Sequence, residues 1–412
     1  MKNQRYLPVI ILFLLLLLTG CGGASAEPVL ETAVPTPAAT PTLPPPELEI
    51  VVNGTAVPTP TPSLPPGQLF SSPEYGVHLS QWWHVDDVLP RDLNLVQEMG
   101  FGWVKQVFAW RDIEAPTKGE YDWYRPDRIV QQANENGLKL LVRIDHQPLW
   151  SVLALEAEGK PITNNQPPAN LQDFGDFCFA LASRYQGQIQ AYQVWNEPNL
   201  TREWGEQTPN PAEYTDLLRV CYLGIKSADP DAIVVSAGLA PTGGPMPQAM
   251  PDDEFLRGMY QAGAADYFDA LGLNAPGYKA PPTLSPEDGL NEEWGGHRWN
   301  VFRHVEDMRE IMVANGDADK QVVILETGWI LQQELHPSYT WHGVTEQQQA
   351  DYLVGAYQWA RENWQPWIGP IFTIYMADAT WTPEEHEQYW WSIVLPDGTP
   401  RPAYLALKAL PK

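Results

Sequence analysis

The chain has 412 residues, 25 basic against 51 acidic, for a formal net charge of −26. That balance excludes nucleic acid and anionic membrane surfaces as electrostatic partners, because phosphate binding needs the opposite sign. The 44% hydrophobic content allows a sizeable core, and 18 tryptophans with 17 tyrosines supply a surplus of flat rings that suits a cleft stacking on pyranose faces.

In chain order, Lys2 and Arg5 precede an apolar run from Val9 to Leu18. A transmembrane helix needs about 20 apolar residues, so this run is short and reads as a signal peptide. Its ending, Leu18-Thr19-Gly20-Cys21, resembles a bacterial lipobox, in which Cys21 becomes the lipidated N-terminus after cleavage. The expectation is a lipoprotein signal peptide over 1–21 and a protein lipid-anchored at the bacterial cell surface, on the extracytoplasmic side. An uncleaved anchor helix is the alternative. Residues 22–67 contain 12 prolines, many alternating with threonine as in Pro58-Thr59-Pro60-Thr61-Pro62. Such a composition cannot bury enough apolar area to fold, and a disordered linker is expected, extended enough to reach on the order of 100 Å.

From about residue 70 apolar runs alternate with stretches of helical periodicity. Strands are predicted at 76–79, 103–109, 138–144, 189–195, 232–237, 270–273, 322–325 and 368–375, and helices at 91–99, 126–136, 171–185, 211–227, 253–262, 299–314, 346–364 and 402–410. Asn136-Gly137 and Asn315-Gly316 read as helix C-termini, where a left-handed residue is wanted. Pro126 and Pro211 suit first turns, and Thr345 with Gln348 forms a capping box. Eight strands each followed by a helix, without hairpin signals, predict an α/β fold, a closed (β/α)8 TIM barrel over 68–412. An open doubly wound sheet is the alternative, disfavoured because no Gly-x-Gly-x-x-Gly turn follows an early strand.

Beyond Cys21, the cysteines are Cys178 and Cys221, each inside a predicted helix and neither at metal-ligand spacing. They are either two buried small hydrophobes or a disulfide between neighbouring helices. In a (β/α)8 barrel chemistry sits at the C-terminal ends of the strands. The residues falling there are His78, Trp110, Asp145 with His146, Asn196 with Glu197, Asn274 with Tyr278, Glu326 with Trp329, and Asp378 with Trp381. Two of these tips share one grammar. Ile189 to Trp195 runs straight into Asn196-Glu197-Pro198-Asn199, and Gln321 to Leu325 into Glu326-Thr327-Gly328-Trp329. These are the tips of the fourth and seventh strands, opposed across a barrel mouth. Two carboxylates across a cleft are what glycosidic bond hydrolysis requires, one to protonate the leaving oxygen and one to attack the anomeric carbon.

Trp195-Asn196-Glu197-Pro198-Asn199, with Leu325-Glu326-Thr327-Gly328-Trp329 further on, resembles the retaining glycoside hydrolases of clan A, in particular families 39 and 5. Trp110-Arg111-Asp112-Ile113-Glu114-Ala115-Pro116 and the closing segment Asp397 to Tyr404 carry the same likeness, which covers roughly residues 72–410. The resemblance implies Glu197 as general acid/base, Glu326 as nucleophile, and Asn196 on the sugar 2-hydroxyl. It also implies Tyr278 as a partner of Glu326, with His146 and Trp381 lining the non-reducing subsite. His78 and Trp329 are further candidate substrate-binding residues. No metal or organic cofactor is needed for this chemistry.

The chain departs from the clan at two places. Where many members carry an arginine on the second strand near the nucleophile, Lys105 stands here, with Arg143 on the third strand as a substitute guanidinium; after the sixth strand Asn274 replaces a frequent histidine. Structural readings compete with the functional ones: the glutamates as loop caps, His78 and His146 as satisfied loop histidines, Trp329 and Trp381 as lid or core aromatics. The function expected is an extracellular retaining glycosidase acting on β-linked poly- or oligosaccharides, with a transglycosylase or a catalytically silent glycan-binding surface lipoprotein as alternatives.

Overall fold

The computed structural model describes residues 68–412, together with a two-residue antiparallel pairing of Val51–Val52 with Thr55–Ala56. The expected signal peptide, Cys21 and most of the proline-rich linker lie outside the described residues.

Eight parallel strands close into a barrel in sequence order. They are β1 Glu74–Leu79, β2 Trp103–Ala109, β3 Lys139–Asp145, β4 Ala191–Val194, β5 Ile233–Val235, β6 Ala270–Asn274, β7 Gln321–Thr327 and β8 Ile368–Met376. The principal helices are α1 Leu89–Glu98, α2 Tyr124–Glu135, α3 Leu171–Arg184, α4 Pro211–Ala228, α5 Asp252–Gln261, α6 His304–Ala314, α7 Glu346–Asn363 and α8 Pro402–Ala409. The (β/α)8 barrel is thus present.

The strands are covered on both faces, which is why they read as nearly continuous apolar runs. Outward residues such as Val104, Phe108 and Ile144 pack under the helices, whereas Trp103, Leu141, Val323 and Phe372 fill the lower barrel. Phe70 packs against this inner cluster, its ring 5.7 Å from Trp103 and its N–H donating to Gln321 Oε1 at 2.9 Å. The apolar plug keeps the N-terminal end dry and leaves polar inward positions to the other end.

Local signals hold where they were read. Thr345 and Gln348 form both bonds of the capping box. Asn210 caps α4 with Pro211 in its first turn, and Gly137 and Gly316 take φ of 65° and 90° just past their helices. The fourth and fifth strands are shorter than predicted. The sixth helix starts at His304 rather than 299, because a separate 3-10 turn occupies Arg298–Asn300. Cys178 and Cys221 form a disulfide joining α3 to α4, with Cα atoms 5.3 Å apart. Closing a 43-residue separation in this way stabilises the folded chain by about 3–4 kcal/mol through the entropy of the unfolded state. Among the described residues no helix is long and apolar enough to cross a membrane.

Candidate active site

Strict alternation along β7 does not bring Glu326 into the barrel. Val322 and Ile324 face the helices, and Val323 and Leu325 face inward, so residue 326 is due to face outward. A register shift against β6, which pairs Leu273 with Ile324 but Asn274 with Glu326, inserts one residue and re-aims the carboxylate into the mouth. The end of β4 uses a different device. Trp195 and Glu197 both take left-handed backbone, φ 72° and 43°. The first turns the Trp195 ring outward onto Phe174 and Trp204, at 5.9 and 5.8 Å. The second turns Glu197 over the barrel. Non-glycine residues held this way cost of order 1–3 kcal/mol each and gather at functional sites.

Glu326 sits among cations. The fully buried Lys105 donates from Nζ to Glu326 Oε1 at 3.1 Å and to the Leu325 carbonyl at 3.0 Å. Arg143 Nη1 lies 3.5 Å from the same Oε1, and His78 Nδ1 lies 3.7 Å from it. Burial, helped by Lys105 and Arg143, pushes the His78 pKa well below the usual range, so this ring is neutral. Burial also lowers Lys105, to about 8, against the opposing pull of Glu326. Arg143 pairs in turn with Asp145, at 2.8 Å. Burial alone would raise Asp145; Arg143 and His146 outweigh it and hold the carboxyl at about 2. Glu326 thus meets two basic side chains and a neutral imidazole at one of its oxygens.

Glu197 has the opposite setting. Its pKa is raised, first by burial and then by the negative charges of Glu326 and Glu203, with Arg202 and the Asn274 amide pulling the other way. Asn274 Nδ2 donates to Oε1 at 3.0 Å and Arg202 Nη2 to Oε2 at 2.9 Å. Gly238 makes room for this arrangement, since a Cβ there would stand 2.2 Å from Asn274 Oδ1. A buried carboxyl with a raised pKa is the pattern of a group that holds a proton to donate.

The other expected site residues divide. Asn196 is buried next to Glu197, its Oδ1 accepting from Gln193 at 3.3 Å. His78 packs its ring at a tilt against Tyr375, 5.1 Å between centres, with Nδ1 3.7 Å from Glu326. His146, at φ 56°, is held by Asp145 at 2.5 Å with part of its ring open. Trp381 leans its partly exposed ring on Tyr375 at 5.4 Å. The bond expected from Tyr278 to Glu326 is not made; its hydroxyl donates to the Pro241 carbonyl at 3.0 Å, and its ring stacks on Trp341. Trp329 does not line the cleft. It is fully buried, donates to the Ala280 carbonyl at 2.9 Å, and fills the space beside Gly277, where a Cβ would meet its ring at 1.9 Å.

Sequence reasoning missed the contacts of Glu197. Arg202, five residues beyond it, had no motif to flag it, and Asn274 was read only as a departure. Nor did the sequence single out Tyr375. A concavity of about 710 Å³ is lined by Asp252, Trp299 and His304 among others, and neither glutamate lines it. The assignment accordingly rests on strand position and charge. Among the described residues no group of three or more His, Cys, Asp or Glu is placed to hold a metal ion.

Residues 78–153 match the model of glycoside hydrolase family 42, described as beta-galactosidase. Over 92 residues, 20% of this chain, the sequence is 33% identical to a thermostable celloxylanase of Thermoclostridium stercorarium and spans about a quarter (24%) of that protein's length. Among solved structures, a family 39 glycoside hydrolase from Bacteroides cellulosilyticus WH2 is similar with a TM-score of 0.57 and 21% identity, over 82% of this chain and 63% of that one. A family 39 beta-xylosidase from Caulobacter crescentus gives 0.55 and 18%, over 85% and 72%. A family 5 enzyme from Streptomyces cattleya, solved with GlcNAc, gives 0.58 and 14%, over 82% and 79%.

Proposed function

We propose that this chain is a retaining glycoside hydrolase that cleaves β-linked oligo- or polysaccharides by double displacement. The observation that carries the proposal is the contrast between two opposed glutamates, one ringed by Lys105, Arg143 and His78, the other buried with its pKa raised. In the first step Glu326 attacks the anomeric carbon while Glu197 gives its proton to the departing oxygen. In the second, Glu197 takes a proton from water, which displaces Glu326 from the sugar. On this reading Asn196, His78, His146 and Trp381 are the residues that bind the sugar. The glycoside hydrolases it resembles, in sequence over part of the chain and in fold over most of it, support the same reaction class.

The test is a panel of aryl β-glycosides and β-linked oligosaccharides, with the first-formed product anomer followed by NMR. A β-anomeric first product and a bell-shaped kcat/KM profile, limited on the alkaline side by the Glu197 proton, are expected. An α-anomeric first product would exclude the covalent route. Glycan binding without turnover of any panel member would mark a silent binding protein, and products longer than the substrate would mark a transglycosylase.

The same proposal places the enzyme outside the cell on a lipid anchor at Cys21, with residues 22–67 as its stalk. The lipobox-like ending supports this, as does the Cys178–Cys221 disulfide, which belongs to oxidising compartments. Cys21→Ser is expected to release the protein from the membrane fraction or block its processing; unchanged processing and retention would refute the anchor.

A further inference from the structure

The two oxygens of Glu197 are held by unlike partners. Oε1 is fixed by the buried Asn274 amide at 3.0 Å. Oε2 is held at 2.9 Å by Arg202, whose side chain is 64% exposed and stands on the 3-10 turn Thr201–Glu203. Oε2 is therefore the oxygen that can be released toward substrate. Arg202 at that oxygen favours the carboxylate form and so opposes the proton that Glu197 has to donate. The resting contact opposes the first chemical step, and binding of the substrate has to break it.

A neutral hydroxyl competes poorly with a carboxylate for a guanidinium. A second anion competes well, by forming a charge-assisted and bidentate pair of its own. The surroundings of Arg202 suit such a group. Lys279, one residue after Tyr278, forms no ion pair with a carboxylate among the described residues. Its Nζ lies 6.0 Å from the centre of the Trp341 ring. That ring is 44% exposed and stacks on Tyr278 at 5.6 Å, and Tyr278 lies within the electrostatic reach of both Glu197 and Arg202. An exposed arginine, with a half-buried lysine beside an open aromatic face nearby, is unusual ground in a chain of net charge −26.

Resting on the glycosidase reading above, we propose that the sugar on the leaving-group side of the cut bond carries an acidic substituent, a carboxylate or a sulfate. This group draws Arg202 off Glu197 and frees Oε2 to hold the proton it donates. The proton then passes from Oε2 to the glycosidic oxygen as Glu326 bonds the anomeric carbon and the old C–O bond breaks; Arg202 gives up no proton. Arg202 acts here as a positioning and specificity residue. The charged and titratable groups that face Glu197 are Arg202 and Glu203 from its own loop, Tyr278 from beyond β6, Glu326 from β7, Tyr339 from the loop after it, and Tyr375 from β8.

The experiment uses three matched β-linked disaccharides built on whichever glycone the panel shows is cleaved fastest. The leaving sugar is a neutral hexose, the corresponding hexuronic acid, or its 6-sulfate, and the last two separate the sources of the anion. Wild type is expected to favour at least one acidic substrate by about tenfold in kcat/KM, a ratio that Arg202→Gln brings close to one and Arg202→Lys partly restores. On a neutral aryl glycoside, Arg202→Gln should also move the alkaline limb of the pH profile upward, by about half a unit to one unit, because the cation that favours ionised Glu197 is gone. A wild type that prefers the neutral disaccharide, or an acidic preference that survives Arg202→Gln, overturns the inference. A wild type that cleaves none of the three and none of the panel overturns the glycosidase reading, and this inference with it.

Discussion

Glu326→Ala is expected to lower kcat by about 10⁴-fold or more on an aryl β-glycoside, and sodium azide is expected to restore turnover with inverted stereochemistry. The substitution empties a space beside Lys105 and Arg143, whose cations stand 3.1 and 3.5 Å from the missing oxygen. A small anion is drawn into that space and attacks the anomeric carbon from the same face as the lost carboxylate. Nothing then displaces it, so the glycosyl azide has the opposite configuration to the substrate. Glu197→Ala should behave differently. With a leaving group that needs no proton, the first step survives and the glycosyl-enzyme accumulates. Azide then enters from the Glu197 side and gives a product of retained configuration. Two variants with opposite azide products assign the two roles independently of any structure. If the configurations come out exchanged, the roles of Glu197 and Glu326 are reversed. If both variants stay within tenfold of wild type, neither residue is catalytic.

The barrel was legible because each of its signals is local. Apolar runs of strand length, helical periodicity, the capping box at Thr345 and the Asn-Gly stops at 136–137 and 315–316 all act within a few residues. The two glutamates were legible because each ends a buried strand. What sequence could not supply is direction. Period-two reasoning puts Glu326 on the outer face of β7 and Trp195 inside the barrel, and both are reversed by backbone events that leave no mark in composition. Trp329 shows the same limit from the other side. Its place beside Glu326 suggested a cleft residue, whereas the close approach of Gly277 gives its ring a slot in the core. The cations around Glu326 were half visible, since Lys105 and Arg143 are conspicuous charges within apolar runs. The Arg202 contact depends on how a loop folds back, and no spacing rule predicts it.

Lys105 supplies the second large effect, in which activity and stability move in opposite directions with pH. Its Nζ is the nearest cation to Glu326 and lies inside a dry barrel, where one well-placed donor is worth about 10²-fold or more in rate. Lys105→Met should lower kcat by about that factor while leaving KM for a neutral aryl glycoside little changed, because the lost contact is to the nucleophile and not to the sugar. Burial lowers the Lys105 pKa from 10.5 to about 8. Between those values the unfolded chain keeps the lysine proton and the folded protein sheds it. The unfolded state then binds more protons, so unfolding free energy rises with pH by up to about 1.4 kcal/mol per unit from this group. Below about pH 8 the folded protein bears the full cost of the buried charge. Wild type should therefore lose activity above about pH 8, as the cation facing Glu326 disappears, while gaining stability relative to Lys105→Met over the same range. Urea denaturation of both proteins at intervals from pH 7 to about pH 10 checks this. Parallel stability profiles would show that Lys105 does not titrate there, and would leave the alkaline limb of activity to Glu197 alone.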